Sequence, residues 1–338
     1  MIIAIHLTKD SFSDRWISYC EEKHIEWKLV DCYRTDIVQQ LEDCGALMWH
    51  FSQNSPKAML FARQLLYSIE SSGKKVFPNF NTVWHFDDKV GQKYLLESIN
   101  APFVQTRIFY DRNEAMEWAS QTTYPKVFKL RGGAGSQNVR LVRGRKSSKN
   151  LIRRAFGNGF PSYDPSESLM ERWRMFRLGM TNFMDLVVGV GRFLIPPPYS
   201  RIRGRERGYI YFQEFISNND HDIRVVVIGN KAFAIKRMVR KDDFRASGSG
   251  NILYNKELFD ENTIRVSFEL AEKLKTQCVA LDFVYQDKNP LLVEISYGFS
   301  PSGYDPCPGY WDSNLQWHQG KFNPYGWMVD DLIDSIDK

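Results

Sequence analysis

A lysine and a group of glycines lie together in a stretch of the chain that suits phosphate binding. Residues 126–139 read Lys-Val-Phe-Lys-Leu-Arg-Gly-Gly-Ala-Gly-Ser-Gln-Asn-Val, so Lys129 lies in an apolar strand before a loop with Gly132, Gly133 and Ser136. Glycine lets backbone N–H groups approach an anion closely, and an ammonium group offsets the anion's charge. The pattern indicates a phosphate site. A hairpin with a glycine-rich turn is the alternative.

Two acidic residues each stand alone inside an apolar strand near the end of the chain. Asp282 lies in Ala-Leu-Asp-Phe-Val and Glu294 in Leu-Leu-Val-Glu-Ile-Ser, on the two strands of a predicted hairpin. A buried carboxylate is costly unless it is paired, and two that face each other repel. A magnesium ion would resolve both problems, because it prefers oxygen ligands and also binds nucleotide phosphates. Separate salt bridges, for example to Arg224 or Arg237, are the alternative.

Three arginines occupy similar places upstream of this hairpin. Arg224 lies in Asp-Ile-Arg-Val-Val-Val, Arg237 in Ala-Ile-Lys-Arg-Met-Val, and Arg245 in Asp-Asp-Phe-Arg before the flexible segment 246–251. Arginine suits the bidentate recognition of phosphate or carboxylate groups. The lysine strand, the arginine hairpin and the paired carboxylates together describe a site for ATP, magnesium and a carboxylate.

The elements that must position these residues follow two patterns. Short strands and helices alternate through residues 1–84, including a third strand over 46–51, which predicts parallel strands in a small Rossmann-like sheet. No GxGxxG follows its first strand, so a standard dinucleotide site is not expected. A helix is predicted over 87–98. Residues 209–296 contain strands paired through tight turns, which indicates an antiparallel sheet.

Residues 143–208 form a basic insert that is predicted to be largely irregular. Arginine and lysine cluster at both of its ends, and an amphipathic helix with Trp173 and Phe176 is predicted between them. Three interpretations stay open: a solvated decoration, a lid or docking surface for a polyanionic or nucleotide-linked substrate, and an RNA-binding segment.

The composition limits the classes of function. The net charge of +5 is mildly basic, which is unlike a dedicated DNA-binding protein and fits a pocket for anionic substrates. The five cysteines are odd in number and contain no CxxC pair, so neither a disulfide framework nor a zinc site is indicated. A cytoplasmic location is therefore expected. We expect no signal peptide and no membrane span.

The chain resembles the ATP-grasp superfamily, and within it the RimK-type carboxylate–amine ligases, over about residues 85–300 outside the insert. The resemblance implies an α/β (α+β) ATP-grasp fold, in which a small Rossmann-like N-terminal domain precedes two α+β subdomains that clasp ATP. The motifs that carry it are Asp88-Lys89, Phe128-Lys129-Leu130, Gln213-Glu214-Phe215-Ile216, Asp222-Ile223-Arg224, Asp243-Phe244-Arg245, Leu281-Asp282-Phe283 and Val293-Glu294-Ile295.

The resemblance also implies domains and residue roles. The domains are the N-terminal domain 1–84, a central subdomain of 85–142 with 209–216, the insert 143–208, and a C-terminal subdomain 217–338 with an aromatic tail. The implied roles are ATP phosphate contacts for Lys89, Lys129, Gly132, Gly133 and Ser136; the adenine-binding hinge for Gln213, Glu214, Phe215 and Ile216; ribose binding for Asp222; magnesium binding for Asp282, Glu294 and Ser296; and catalysis for Arg224, Arg237 and Arg245.

Two departures from the family pattern bear on function. Ser296 stands where the family usually has asparagine, which puts a second magnesium ion in doubt. The segment 297–312 after the last strand is rich in aromatic residues, proline and glycine, and such rings suit stacking on sugars. This tail and the insert resemble ATP-grasp proteins of bacterial surface-polysaccharide gene clusters.

The implied activity is ATP-dependent amide formation through an acyl phosphate. The expected substrates are a uronic-acid sugar, free or nucleotide-linked, and an amino acid or small amine, in capsule or O-antigen biosynthesis. The alternatives are a peptide- or protein-type ligase and a nucleotide-binding protein without turnover. Nucleic acid is not expected as a partner, and a homodimer is one open oligomeric state. Four histidines are assigned to packing or to the surface: His50, His85, His221 and His318. The tryptophans Trp311, Trp317 and Trp327 are assigned to packing of the C-terminal helix, with sugar binding as the alternative.

Overall fold

The first sheet of the protein is fully parallel. The computed structural model describes residues 2–336 except 10, 134–137, 178, 180, 198–199, 201–203 and 241–242. The elements of the first part are β1 (Ile2–His6), α1 (Ser13–Glu22), β2 (Trp27–Val30), α2 (Ile37–Gln40), β3 (Cys44–Met48), α3 (Pro56–Ser71), β4 (Lys75–Phe77) and α4 (Phe80–Val83). The strand order is β2-β1-β3-β4, as expected of the predicted Rossmann-like sheet.

The third strand differs from its prediction. It ends at Met48 instead of residue 51. Beyond Trp49 the backbone pairs with a side chain and not with another strand: Phe51 donates its N–H to the Tyr297 hydroxyl, which donates back to the Phe51 carbonyl. The chain therefore leaves the sheet at His50.

The second sheet is antiparallel and is covered by helices on one side. Its elements are α5 (Lys89–Ser98), β5 (Thr106–Phe109), α6 (Arg112–Gln121), β6 (Lys126–Lys129), β7 (Val139–Val142) and β10 (Ile210–Glu214), with strand order β5-β10-β6-β7. Asp88 caps α5 by accepting from the Gly91 N–H, which satisfies one of the unpaired donors at the start of a helix. This cap places Lys89 in the first turn of α5.

The insert is more regular than its sequence predicted. It contains α7 (Arg145–Ala155), β8 (Phe160–Pro161), α8 (Pro165–Arg177), α9 (Phe183–Gly191) and β9 (Arg205–Glu206). Ile152 and Ala155 of α7 are buried with Phe128 and Phe212, so this helix belongs to the core of the second sheet. The helices α8 and α9 form a hairpin of their own, and α8 has no buried residue.

The third sheet is buried on both faces. Its strands are β11 (His221–Ile228), β12 (Lys231–Met238), β13 (Ile252–Leu253), β14 (Cys278–Gln286), β15 (Asn289–Ser296), β16 (Gly309–Asp312) and β17 (Trp317–Gln319), in the order β15-β14-β11-β12-β16-β17 with β13 beside β12. Val225 and Val227 pack towards α10 (Glu261–Leu274), whereas Val226 and Ile228 share a core with the first sheet. Burial on both faces explains the unbroken apolar run in β11.

The aromatic tail is packed into the core. Tyr297, Phe299, Tyr304 and Trp311 are each at most 7% exposed, and Trp327 stacks on a neighbouring phenylalanine with ring centroids 5.1 Å apart. The tail also contains α11 (Pro301–Tyr304) and α12 (Pro324–Asp334), and α12 packs against α1. The packing interpretation of the tryptophans therefore agrees with the structure. Phe299 and Tyr304 also line a cavity between the second and third sheets, so sugar stacking on the tail stays a prediction. None of the helices in the described ranges is long and apolar enough to cross a bilayer.

Candidate active site

A cavity of about 680 Å³ lies between the second and third sheets and reaches the first. Its walls bring together most of the residues that the sequence proposed. Gly132 does not line it, and Ser136 lies outside the described residues. The proposed residues that do line it are Lys89, Lys129, Gly133, Gln213, Glu214, Phe215, Ile216, Asp222, Arg224, Arg237, Arg245, Asp282, Glu294 and Ser296.

Lys129 brings a buried positive charge to this cavity. It lies at the end of β6, is 6% exposed, and its Nζ lies 3.5 Å from the Val293 carbonyl of β15. Among the described residues no carboxylate lies within ion-pair distance of it. Burial lowers the pKa of Lys129 to about 8, although the charge of Glu294 partly opposes this. A cation held in this way is suited to an anionic ligand.

Lys89 and the glycine loop meet beside it. The Lys89 Nζ lies 3.0 Å from Glu294 Oε1 and donates to the Gly133 carbonyl at 2.7 Å. The Gly133 N–H donates to Asp87 Oδ1 at 2.6 Å. Gly133 has φ +121°, a conformation that side chains rarely adopt. The glycine is therefore required for this approach of the loop to α5.

The predicted hinge strand is β10, and an ion pair fixes one of its residues. Glu214 lies directly across from Lys126 of β6, and both carboxylate oxygens accept from Lys126 Nζ at 2.6 Å. Gln213 is buried and donates to Thr106 Oγ1 at 3.1 Å. The Lys126 partner was missed because its place opposite Glu214, 88 residues along the chain, depends on strand pairing that the sequence does not display.

Four charged residues form a connected cluster on the third sheet. Arg224 donates to Asp282 Oδ2 at 2.8 Å, and Arg237 donates to Asp282 Oδ1 at 2.9 Å. Arg237 also binds both oxygens of Asp222, at 2.7 and 2.8 Å. Burial would raise the pKa of Asp282, but the two guanidinium groups outweigh it and hold this pKa below its ordinary value. The cluster contains two positive and two negative charges.

The two predicted carboxylates do lie opposite each other. Asp282 of β14 is the register partner of Glu294 of β15, so their side chains share one face of the sheet. Each is neutralised by basic side chains, Asp282 by two arginines and Glu294 by Lys89, as the salt-bridge alternative described. The Ser296 hydroxyl accepts from the Gly298 N–H at 3.2 Å.

These carboxylates fit one specific mode of magnesium binding. Among the described residues no group of three His, Cys, Asp or Glu could hold a metal by itself. Magnesium is commonly held by one or two carboxylates together with phosphate oxygens of a substrate. Glu294, with a third of its side chain exposed in the cavity wall, and Asp282 opposite it provide such a pair.

A loop from the third sheet carries Arg245 over the cavity. Asp243 holds the Arg245 guanidinium, with contacts of 2.8 and 2.6 Å to its Oδ2. Phe244 contacts the ring of Phe215 in the hinge segment. Arg240 is 6% exposed and pairs at 3.0 Å with Glu171 of α8. The insert therefore contacts the loop that carries Arg245.

The first sheet contributes a histidine that sequence reasoning assigned to packing or to the surface. His50 lines the cavity, accepts or donates a 2.5 Å hydrogen bond with Ser11 Oγ through Nδ1, and stacks on Phe12 at 3.7 Å. Burial lowers the pKa of His50 to about 3, so the imidazole is neutral at pH 7. The only signal in the sequence was a histidine just after an apolar strand.

Comparisons with known proteins agree with this architecture. Residues 202–302 match the RimK-like ATP-grasp domain. The RimK domain ATP-grasp protein of Sphaerobacter thermophilus is 15% identical with a TM-score of 0.55, and the match covers 98% of this chain and 100% of that one. D-alanine–D-alanine ligase of Bacillus anthracis, complexed with ATP, is 10% identical with a TM-score of 0.57, and the match covers 99% and 96%.

A third structure, the ATP-grasp ligase PsnB complexed with a minimal precursor, Mg and ADP, is 13% identical with a TM-score of 0.53. That match covers 100% of this chain and 98% of the other. A search among curated proteins gives no match. The predicted resemblance to RimK-type ATP-grasp proteins and the predicted fold class are thereby confirmed. Residues 202–302 thus resemble the RimK-like ATP-grasp domain, and the chain as a whole has the fold of ATP-grasp proteins.

Proposed function

We propose that the protein joins a carboxylate to an amine at the expense of ATP, and that ATP binds in the cavity between the second and third sheets. One observation carries the proposal: the buried ammonium of Lys129 faces a cavity that also contains the arginine–aspartate cluster and Glu294. An apolar wall that includes Val127, Val284 and Val293 lies beside the hinge strand and suits a purine ring.

The residues divide into a nucleotide end and a reaction end. At the nucleotide end, Gln213 to Ile216 contact adenine, and Lys89, Lys129 and Gly133 contact the phosphates. Asp282 and Glu294 would hold magnesium, which would supply further neutralisation of phosphate charge, with Ser296 as a third candidate ligand. Asp222 has both oxygens on Arg237, so we assign it to positioning this arginine and no longer to ribose binding.

The chemistry at the reaction end has two steps. A carboxylate oxygen of the substrate attacks the γ-phosphorus of ATP, the bond to the β,γ-bridging oxygen breaks, and ADP leaves. The amine nitrogen then attacks the carbonyl carbon of the acyl phosphate, and phosphate leaves after the amine has lost a proton. Arg224 and Arg237 stabilise the negative oxygen of the tetrahedral intermediate, since they are already held in place by Asp282 and Asp222.

The narrower proposal is that the carboxylate belongs to a uronic-acid sugar and that the product enters surface-polysaccharide biosynthesis. It is supported by the polar wall that the first sheet and the tail provide at the reaction end, since hydroxyl, amide and ammonium groups match a polyol. This wall contains Thr8, Lys9, Ser11, Ser52, Gln53 and Ser300. The cytoplasm is the proposed location because all five cysteines are free and buried.

Release of ADP tests the ligase proposal. We would combine the protein, magnesium and ATP with a matrix of free and UDP-linked hexuronic acids against amino acids and small amines, and identify condensed products by mass spectrometry. ADP should appear with a condensed mass only where acid and amine are both present. ATP binding in a thermal-shift assay without ADP in any well would instead favour a protein that binds the nucleotide without turnover, or a peptide acceptor.

We propose that His50 positions the amine substrate by a hydrogen bond, because its neutral imidazole lines the cavity and is oriented by Ser11. A His50→Asn variant is expected to lower kcat/KM for the amine about tenfold, as the loss of one such hydrogen bond does, while its KM for ATP changes little. His85→Asn is the control, since His85 is buried and does not line the cavity. Equal losses of kcat/KM in the two variants, at equal thermal stability, would show that His50 is structural.

A further inference from the structure

Exposed large apolar side chains are concentrated in the hairpin of α8 and α9. Among the described residues, twenty large apolar side chains are exposed, and ten of them lie within residues 170–195. Soluble proteins rarely expose so many apolar groups together unless the surface binds something. The ten residues are Met170, Trp173, Phe183, Met184, Val187, Val188, Val190, Phe193, Leu194 and Ile195.

The helix α9 contacts the rest of the chain through one narrow side. Its only buried residues are Leu186 and Gly189. A Cβ on Gly189 would lie 3.0 Å from Leu169 of α8, so the small residue lets the two helices approach closely. A helix that is apolar on nearly all sides is ordinarily enclosed by protein or lipid. The remaining sides of α9 are therefore suited to a partner outside this chain.

The charge around this apolar face is strongly positive. Residues 143–208 contain fourteen Arg and Lys against five Asp and Glu, a net charge of +9, so the rest of the chain carries −4. Arg177 and Arg192 lie beside the exposed apolar residues, and neither has an ion-pair partner within the described part of the protein. A partner that matches this surface would be apolar at its centre and negatively charged at its edge.

We propose that the α8–α9 hairpin docks on an anionic lipid bilayer. The apolar side chains of α9 and of residues 193–195 enter the boundary between headgroups and acyl chains, and the arginines contact lipid phosphates. Trp173, Phe183 and Phe193 are of the residue types found on the apolar face of helices that lie in a membrane interface.

Two features favour lipid over a second copy of the chain. Leu194, in the segment after α9, is 87% exposed, and a side chain left this open suits a fluid partner that adapts to its shape. Two copies that met through this face would also bring two segments of charge +9 together, which is unfavourable. The polar residues Glu171 and Arg174 of α8 are meanwhile engaged by Arg240 and Gly248 of the active-site loop. The bilayer therefore meets another side of α8.

Flotation of the full chain with lipid vesicles tests this proposal. We expect it to float with vesicles of phosphatidylglycerol and phosphatidylcholine at low salt, to float much less with phosphatidylcholine alone, and to be released by salt. A Phe183→Ser/Leu194→Ser variant should lose at least about tenfold in partitioning, because both side chains enter the lipid. The matched control is Leu60→Ser/Tyr67→Ser on α3, which removes two side chains that are 72% and 54% exposed.

Three outcomes would overturn the proposal. The first is failure of the wild-type chain to bind anionic vesicles at low salt. The second is equal loss of binding in the hairpin and α3 variants. The third is a dimer in sedimentation velocity that the hairpin variant dissociates, without vesicle binding, which would assign this face to a second copy. Thermal melting of each variant confirms that the fold is retained.

Discussion

Replacing Lys129 by methionine is expected to lower the turnover number about 10²- to 10³-fold while it stabilises the protein in the absence of ATP. The loss of turnover follows because a buried ammonium is removed from the site proposed for the phosphates. The gain in stability follows because burial lowers the pKa of Lys129 from 10.5 to about 8. This difference corresponds to about 3 kcal/mol at pH values below 8. Methionine keeps an unbranched apolar side chain, so the core is preserved.

The stability effect has a defined dependence on pH. Lys129 is protonated in both the folded and the unfolded chain below pH 8, where the cost of its burial is complete. As the pH rises from about 8 to 10.5, the folded chain loses this proton first, and the cost disappears. The difference in unfolding free energy between Lys129→Met and the wild type should therefore shrink over this range. Urea denaturation at several pH values measures it.

Lys93→Met is the matched control for this variant. Lys93 lies on α5, pairs with Glu97 at 2.7 Å and does not line the cavity. It should leave turnover unchanged and show no comparable gain in stability. Turnover of Lys129→Met within about twofold of the wild type would refute the proposed site. ATP should also stabilise the wild type more than Lys129→Met, because a ligand at a given concentration stabilises the folded state more when it binds more tightly.

The sequence was sufficient to predict the strands that carry the site, because each shows one charged residue in an apolar run. It could not fix how these strands pair. Counting back from the turn at Asp287 would place Val293 opposite Asp282. A bulge between Asp282 and Phe283 shifts the pairing by one residue and brings Glu294 there instead. The prediction that the two carboxylates face each other is therefore correct, but only because of a bulge that the sequence pattern does not reveal.

Contacts between distant parts of the chain were the least predictable. His50 reaches the cavity because the first and third sheets share a core, in which Ile3 and Ile5 pack with Val226 and Ile228. No local pattern encodes that packing. The packing of the aromatic tail was unpredictable for the same reason: Phe299 and Tyr304 lie in this shared core, whereas Trp311 packs on the opposite face of the third sheet.

Asp282→Asn is expected to destabilise the protein by about 3–5 kcal/mol and to abolish turnover. The variant leaves Arg224 and Arg237 with only Asp222 for a partner, and an uncompensated buried charge carries a penalty of this size.

Glu294→Gln should affect magnesium binding and not stability. The Glu294 side chain is a third exposed, and Lys89 still donates its hydrogen bond to the Gly133 carbonyl in the variant. The free energy of unfolding should therefore change by only about 1 kcal/mol or less. The magnesium concentration that gives half-maximal turnover should rise.

A double-mutant cycle separates charge balance from simple damage to the core. Arg224→Gln and Asp282→Asn should each be costly, but the double variant restores neutrality and should be less destabilised than the sum, by about 1–3 kcal/mol. The same cycle with Lys93→Met in place of Arg224→Gln should be additive, because Lys93 pairs elsewhere. Additivity in the first cycle would mean that Asp282 does not act through Arg224, and the positioning of the arginines at the reaction end would need another source.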